Sequence, residues 1–129
     1  MRKAAFTLLL AAAGCAAPQP RGGGEAADLQ AELAGRIEGR AESCVPSEPQ
    51  TSLHIVDART LTYRRGRTLW VNRLESDCPG LRPMDTLIVE THGGQHCRGD
   101  HVRSTPYGGG IPGPVCILGD FTPYRLPPR

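Results

Sequence analysis

The sequence predicts a small, mainly β domain with one N-terminal helix, stapled by disulfides. After residue 43, short runs rich in Val, Ile, Leu, Thr and Tyr alternate with glycines and prolines, a pattern typical of antiparallel strands joined by turns. The same region holds four cysteines, an even number that favours two disulfide bonds. Upstream, leucines at every fourth position indicate one helix. The expected architecture is a small antiparallel sheet or a partly closed barrel.

The first 14 residues have the pattern of a bacterial signal peptide. Two basic residues precede an apolar run over residues 4–13, which is too short to span a bilayer as a helix. Small residues then lead to Cys15, as in a lipobox, where the cysteine thiol accepts a diacylglyceryl group. We therefore expect residues 1–14 to be removed and Cys15 to be lipidated. An ordinary secretory signal cut near Ala17 is the alternative.

Loss of this leader changes the charge of the chain. The formal net charge of +2 falls to zero when Arg2 and Lys3 are removed, so the mature chain offers no electrostatic basis for binding nucleic acid. Lys3 is the only lysine, which excludes Schiff-base chemistry and a phosphate-loop lysine from the mature chain. The residue after Cys15 is Ala16 rather than aspartate, which favours the outer membrane. The expected location is the cell envelope, facing the periplasm, with the membrane as a partner through the lipid anchor.

A tether and a helix are expected next. Residues 15–24 are rich in Pro and Gly and should form a flexible tether. Residues 25–42 are predicted to form an amphipathic helix, although Gly35 and Gly39 weaken it. Its apolar stripe consists of Leu29, Leu33 and Ile37.

Residues 43–129 are predicted to form the β-rich domain. The second and third strands should form a hairpin through Arg65-Gly66, whereas residues 121–129 should trail off because of their prolines. Trp70 and Ile88 point away from their strand neighbours, since side chains alternate along a strand, and the helical stripe is the expected cover for them. The predicted strands lie at residues 53–56, 60–63, 68–74, 86–91, 101–103 and 116–118.

The four domain cysteines leave the pairing open between two main alternatives. If the first four strands run as a meander, Cys44 lies beside Cys97, which leaves Cys78 for Cys116; we favour this pairing. A bridge from Cys97 to Cys116 around the Gly/Pro-rich loop, together with Cys44–Cys78, is the competitor. Disulfides of either kind require an oxidising compartment, which agrees with an exported chain.

Three histidines are weak candidates for a metal site. His92, His96 and His101 lie within ten positions of one another, beside Cys97, and histidine and thiolate are zinc ligands. The spacing matches no paired-cysteine finger, so a polar turn beside a disulfide is favoured over a metal site. The chain also lacks the G-x-S-x-G and H-E-x-x-H motifs of hydrolases.

Two short polar motifs remain. Residues 98–100 spell Arg-Gly-Asp, a tripeptide that also serves as an ordinary turn. Three arginines at the predicted hairpin tip could grip a phosphate or carboxylate, although a solvated turn is favoured. They are Arg64, Arg65 and Arg67.

Several blocks of sequence resemble a family of small exported bacterial proteins. The cysteine-centred blocks are the most specific, and together the blocks cover most of the chain after Ala26. They are LAGRIEGR (residues 33–40), SCV (43–45), RTLWVNRL (67–74), CPGLRPMDTLIVE (78–90), QHCRGD (95–100) and IPGPVCILGDFTPY (111–124). Many members of that family are lipoproteins, and their biochemical function is unknown. The resemblance implies an exported, cysteine-bridged domain and supplies no catalytic residue.

These observations favour a non-enzymatic envelope lipoprotein, a binding or structural module that needs no cofactor. Its partner would be an unidentified envelope protein or ligand. The alternative is a small envelope hydrolase or metal-dependent enzyme that uses His92, His96 and His101.

Overall fold

The computed structural model describes residues 23–129 and confirms a mainly β fold with one short N-terminal helix. The leader, Cys15 and most of the expected tether lie outside the described residues. The elements in chain order are α1 (Gly23–Leu33), β1 (Ile37–Glu38), β2 (Cys44–Pro46), β3 (His54–Ile55), β4 (Thr60–Arg65), β5 (Thr68–Arg73), β6 (Thr86–Glu90), β7 (Gln95–Cys97), β8 (His101–Thr105), β9 (Cys116–Ile117) and β10 (Phe121–Arg125).

The strands form three antiparallel sheets rather than a closed barrel. The largest sheet has five strands in the order β1-β10-β5-β4-β3, the second pairs β2 with β7, and the third has the order β6-β8-β9. The predicted hairpin of β4 and β5 is confirmed, and Gly66 supplies the positive φ of 55° that its turn requires. The expected meander is wrong beyond β5, because β6 pairs with β8 and the neighbour of β5 is β10.

The C-terminal segment is a central strand, not the irregular tail that its prolines led us to expect. β10 pairs with β5 along its whole length and with β1 on its other side. Pro123 fits because its carbonyl accepts a hydrogen bond from the Gly39 N–H at 2.7 Å, on the β1 side. The N–H that proline lacks would point to that same side, where the ladder with β1 covers only Ile37 and Glu38. The ladder with β5 therefore remains intact.

The helix is shorter than predicted. It begins at Gly23, inside the segment expected to be tether, and ends at Leu33 instead of residue 42. Gly35, with φ of 73°, carries the chain away from the helix axis, and Arg36 donates from Nε to the Glu32 carbonyl at 2.9 Å. The β domain consequently begins before residue 43, since β1 belongs to the largest sheet. No helix of the described residues is long and apolar enough to cross a membrane.

The helix covers the opposite face of the sheet from the one predicted. Leu29 packs against Leu69 and Val71. Trp70 instead faces the main core, where its ring centroid lies 5.7 Å from that of Tyr63. The main core fills the space between the largest sheet and the other two, so the face of β5 that carries Trp70 is buried there. The predicted apolar stripe ends at Leu33, because Ile37 lies in β1 with 57% of its surface exposed. Ile88 is also exposed, so the helix does not cover it.

Two disulfides cross-link the β domain, and they are the two pairs that we favoured. Cys44 and Cys97 are directly opposite partners in the β2–β7 pair, with Cα atoms 4.0 Å apart. Cys78, in the loop after β5, is bonded to Cys116 at the start of β9. The Cys78–Cys116 bridge belongs to the main core, whereas Cys44 and Cys97 are half-buried. The two bridges tie segments that are 53 and 38 residues apart in sequence. The pairing follows from β2 and β7 being neighbours, and not from the meander that we assumed.

Candidate functional site

The second face of the five-stranded sheet is the one that points away from the main core. A polar cleft lies on this face, next to the area that the helix covers. Its floor is formed by alternate residues of two neighbouring strands, Val71 and Arg73 on β5 and Thr122 and Tyr124 on β10. Ala41 and Asp120 complete the lining, and the volume is about 290 Å³. The cleft exists because α1 ends at Leu33 and leaves this part of the face uncovered.

Arg73 is the distinctive side chain of the cleft. Its Nη1 donates to the Thr60 hydroxyl at 3.3 Å, and it forms no ion pair with any described residue. Asp120, at the rim, is already held by the Arg98 guanidinium at 3.4 Å. Arg73 therefore keeps N–H donors that no carboxylate within residues 28–129 neutralises.

Two hydroxyl groups lie beside this arginine. Burial raises the pKa of the Tyr124 hydroxyl, and the neighbouring Glu38 carboxylate raises that pKa further, whereas Arg73 opposes them. Tyr124 is therefore neutral at physiological pH, with its hydroxyl hydrogen-bonded to the Glu38 carboxylate. Thr122 contributes a second hydroxyl from the same strand. An unneutralised guanidinium beside two hydroxyls is complementary to a carboxylate, which accepts from Arg in a bidentate manner.

The cleft lacks the groups of the common nucleophilic mechanisms. None of its lining residues is a histidine, serine or cysteine. The four cysteines of the described chain are all in disulfides, so none provides a thiolate. The arrangement can bind and orient an anion.

The structure does not bring the three candidate histidines together as metal ligands. His96 is buried and its ring packs edge-on against Tyr63, with centroids 5.9 Å apart. His92 is exposed, and its Nδ1 lies 3.5 Å from an Asp100 oxygen. His101 lies on β8 with its Nδ1 3.6 Å from Glu90. No group of three His, Cys, Asp or Glu side chains in the described part of the chain is arranged to hold a metal ion.

Burial also sets the ionisation of His96. Desolvation lowers its pKa below the usual 6.5, and the nearby Asp100 carboxylate only partly opposes this. A neutral, buried imidazole that packs against an aromatic ring is a core residue. Its Nδ1 has no hydrogen-bond partner among the described residues.

The Arg-Gly-Asp tripeptide is a structural turn. Asp100 is buried, and its Oδ2 accepts a hydrogen bond from the Cys97 N–H at 2.8 Å. Gly99 has φ of 90°, which the turn needs, and Arg98 extends to Asp120. A carboxylate committed to its own backbone is not presented to a receptor, so the turn serves to hold β7 and its disulfide.

The arginines at the hairpin tip are engaged within the fold. Arg64 forms an ion pair with Glu32 of the helix, and Arg65 pairs with Glu48 at 2.6 Å. Arg67 donates to the Pro127 carbonyl at 2.7 Å. These contacts tie the tip to its surroundings and leave Arg73, which the sequence reasoning missed, as the better candidate for binding an anion.

A sequence signal for Arg73 does exist. Strand alternation places it on the same face as Leu69 and Val71, at the end of a predicted strand. Its neighbours on β10 were hidden because prolines made that segment look irregular. The chain matches no known family model, no curated protein and no solved structure.

Proposed function

We propose that this protein is a lipid-anchored envelope lipoprotein, and that its disulfide-bonded domain is a non-enzymatic binding module. The observation that carries the binding role is Arg73, a cation without an acidic partner among the described residues, in a cleft beside two hydroxyl groups. The proposed ligand is a small monocarboxylate.

The chemistry of the cleft limits the class of ligand. Its volume of about 290 Å³ is at the small end of the range of ligand sites. Arg73 can hold one carboxylate through two parallel hydrogen bonds, while Val71 and Ala41 offer apolar contact to a short carbon body. Asp120 at the rim disfavours a second negative charge on the ligand, because like charges repel at short range. A monocarboxylate with a short apolar body fits these features better than a phosphate or a dicarboxylate.

The anchoring rests on the N-terminal sequence and agrees with the disulfides. A signal peptide ending at a lipobox predicts lipidation of Cys15, with the domain facing the periplasm and the outer membrane favoured. Two disulfides suit an oxidising compartment. On this proposal the partners are the membrane, through the acyl chains, and a carboxylate ligand or an envelope protein that presents one.

Ligand binding is tested by titrating the ¹⁵N-labelled domain with butyrate and following backbone amide shifts. Shifts should concentrate on β5 and β10 and saturate, and Arg73→Gln should abolish them because the charge and the fork of donors are lost. Arg82→Gln is the matched control, since Arg82 is exposed and lines no part of this cleft. Saturable shifts that survive Arg73→Gln, or no saturable shifts with wild type, would contradict the binding proposal.

Anchoring is tested separately by intact-mass spectrometry of protein from membranes. Wild type should begin at Cys15 and carry the mass of the acyl groups, whereas Cys15→Ser should remain unacylated and uncleaved. A soluble mature chain without acyl mass would contradict the lipoprotein proposal and leave the binding test unaffected.

A further inference from the structure

Strand β6 lies at an open edge of the three-stranded sheet. It pairs only with β8, over all five of its residues, Thr86 to Glu90. The opposite edge is closed differently, because the Ile117 carbonyl of β9 accepts a hydrogen bond from the Glu75 N–H at 3.1 Å. The outer side of β6 is therefore the part of this sheet where a further strand can be added.

The hydrogen bonds of β8 show which groups of β6 are free. The carbonyls of Asp100 and Ser104 accept from Leu118 and Gly113, at 3.0 and 2.8 Å, on the side of β8 away from β6. Because backbone groups of alternate residues point to opposite sides of a strand, residues 100, 102 and 104 all face away from β6.

The β6 residues opposite Val102 and Ser104 consequently form the pairs that exchange no backbone hydrogen bonds with β8. Leu87 is opposite Ser104 and Val89 is opposite Val102. The N–H and C=O groups of Leu87 and Val89 thus point outward from the sheet. No backbone hydrogen bond joins these four groups to another segment within residues 23–129.

The exposed fractions of the side chains are consistent with an uncovered edge at β6. On the central strand β8, Val102 is fully buried and Ser104 is 5% exposed. Leu87 and Val89, on the same core-facing side, are only partly buried. β6 also lacks the lysine, proline and bulge with which natural sheets protect an edge.

We propose that β6 pairs antiparallel with β6 of a second copy of this chain, around a two-fold axis through Ile88. Leu87 then exchanges both hydrogen bonds with Val89 of the second copy, and symmetry repeats the pair, so all four free groups of each chain are used. The two sheets become one six-stranded sheet. A shift of two residues in either direction would leave some of these groups without a partner.

The side chains are complementary in this register. Ile88, which is 37% exposed, faces Ile88 of the second copy as a close pair without backbone hydrogen bonds. The apolar Leu87 lies opposite the apolar Val89. The one charged residue of the strand, Glu90, lies opposite Thr86, and Arg103 already pairs with it at 3.3 Å. No like charges meet, which favours a second copy over a partner strand of arbitrary sequence.

The test measures association of the chain over residues 15–129 carrying Cys15→Ser, so that neither the leader nor acyl groups contribute. Interfaces of one short strand are small, so a reversible dimer is expected, seen by sedimentation as a mass that rises from one chain to two with concentration. Ile88→Lys should raise the dissociation constant at least about tenfold, because it places two ammonium groups beside the axis.

Ile117→Lys is the matched control. Ile117 is on the same sheet, is also 37% exposed, and lies two strands from the proposed axis, so its change should leave association as in wild type. Trp70 fluorescence checks that both variants are folded. A second variant, Ile88→Cys, should form a disulfide-linked dimer under mild oxidation, since facing residues in such a pair have Cα atoms about 4.5 Å apart.

Three results would overturn the proposal. The first is a wild-type chain that stays monomeric at every concentration, and the second is a dimer that Ile88→Lys and Ile117→Lys weaken equally. The third is a folded Ile88→Cys chain that forms no crosslink while wild type dimerises.

Discussion

Asn72 clamps the turn before the last strand, and its removal should destabilise the domain strongly. The side chain is fully buried on β5, where its Nδ2 donates to the Gly119 carbonyl at 2.7 Å. Its Oδ1 accepts from the Gly119 N–H at 3.1 Å. The turn lies so close to β5 that a Cβ at residue 119 would overlap the Arg73 carbonyl, which is why glycine is needed there. Asn72 therefore satisfies both backbone groups of a buried residue in the turn that leads into β10.

The expected effect of Asn72→Ala follows from those two groups. Each buried donor or acceptor left without a partner costs about 1–3 kcal/mol. Losing both partners of Gly119, with some relaxation of the turn, should therefore lower the free energy of unfolding by about 2–5 kcal/mol. The total free energy of unfolding of a domain of this size is roughly 5–15 kcal/mol, so the loss is a large fraction of it.

Urea denaturation followed by Trp70 fluorescence measures this effect. Trp70 is the only tryptophan and is buried against Tyr63, so its emission reports the main core. Gln50→Ala is the control, since it removes an exposed amide from a turn and should change stability by less than about 0.5 kcal/mol. If Asn72→Ala costs less than about 1 kcal/mol with an unchanged denaturant slope, the clamp is not a stabilising element and the reasoning is refuted.

Two further predictions concern the helix and the buried histidine. Leu29→Ala should lower the free energy of unfolding by about 2–5 kcal/mol, because Leu29 is buried against the second face of the sheet. Ile37→Ala, at an exposed position, is its control. Equal denaturation midpoints for the two variants would mean that the helix adds no stability. Wild type should lose stability as pH falls below 6.5, because the unfolded chain then protonates His96 while the folded chain, with its lowered pKa, does not. His96→Leu should remove this part of the pH dependence and the exposed control His54→Leu should not; the same midpoint-against-pH curve for wild type and His96→Leu would contradict the assignment.

The sequence pattern predicted those elements whose strands and turn are close together in the chain. The β4–β5 hairpin has alternating side chains and a glycine turn, and both signals lie within 14 residues, 60–73, so its register could be foreseen. The presence of two disulfides followed from counting cysteines. By contrast, β2 and β7 pair across about 50 residues, and each has only three residues, so neither carries a periodic signal strong enough to detect.

Backbone constraints explain the elements that were missed. Proline normally argues against a central strand, but Pro123 is tolerated because its missing N–H falls on the side where β1 is only two residues long. The periodicity of Leu29, Leu33 and Ile37 continued past the true end of the helix, since a spacing of four does not show where the chain turns. Gly35 was the stronger signal, because a glycine with positive φ is the common way to end a helix.

The cleft was concealed by the two wrong predictions of an over-long helix and an irregular C-terminal tail. A helix extending to residue 42 would have continued over the second face of the sheet, and a C-terminal tail would have left Arg73 at an edge instead of beside Thr122 and Tyr124. The short helix leaves that face partly open, and β10 supplies hydroxyls to it. The apolar residues of the face, Leu69 and Val71, lie where the helix ends its cover, and the polar ones follow directly. On the proposed function, the apolar half of the face serves packing and the polar half serves binding. Two variants separate these roles. Arg73→Gln should remove binding with little change in stability, whereas Leu29→Ala should lower stability.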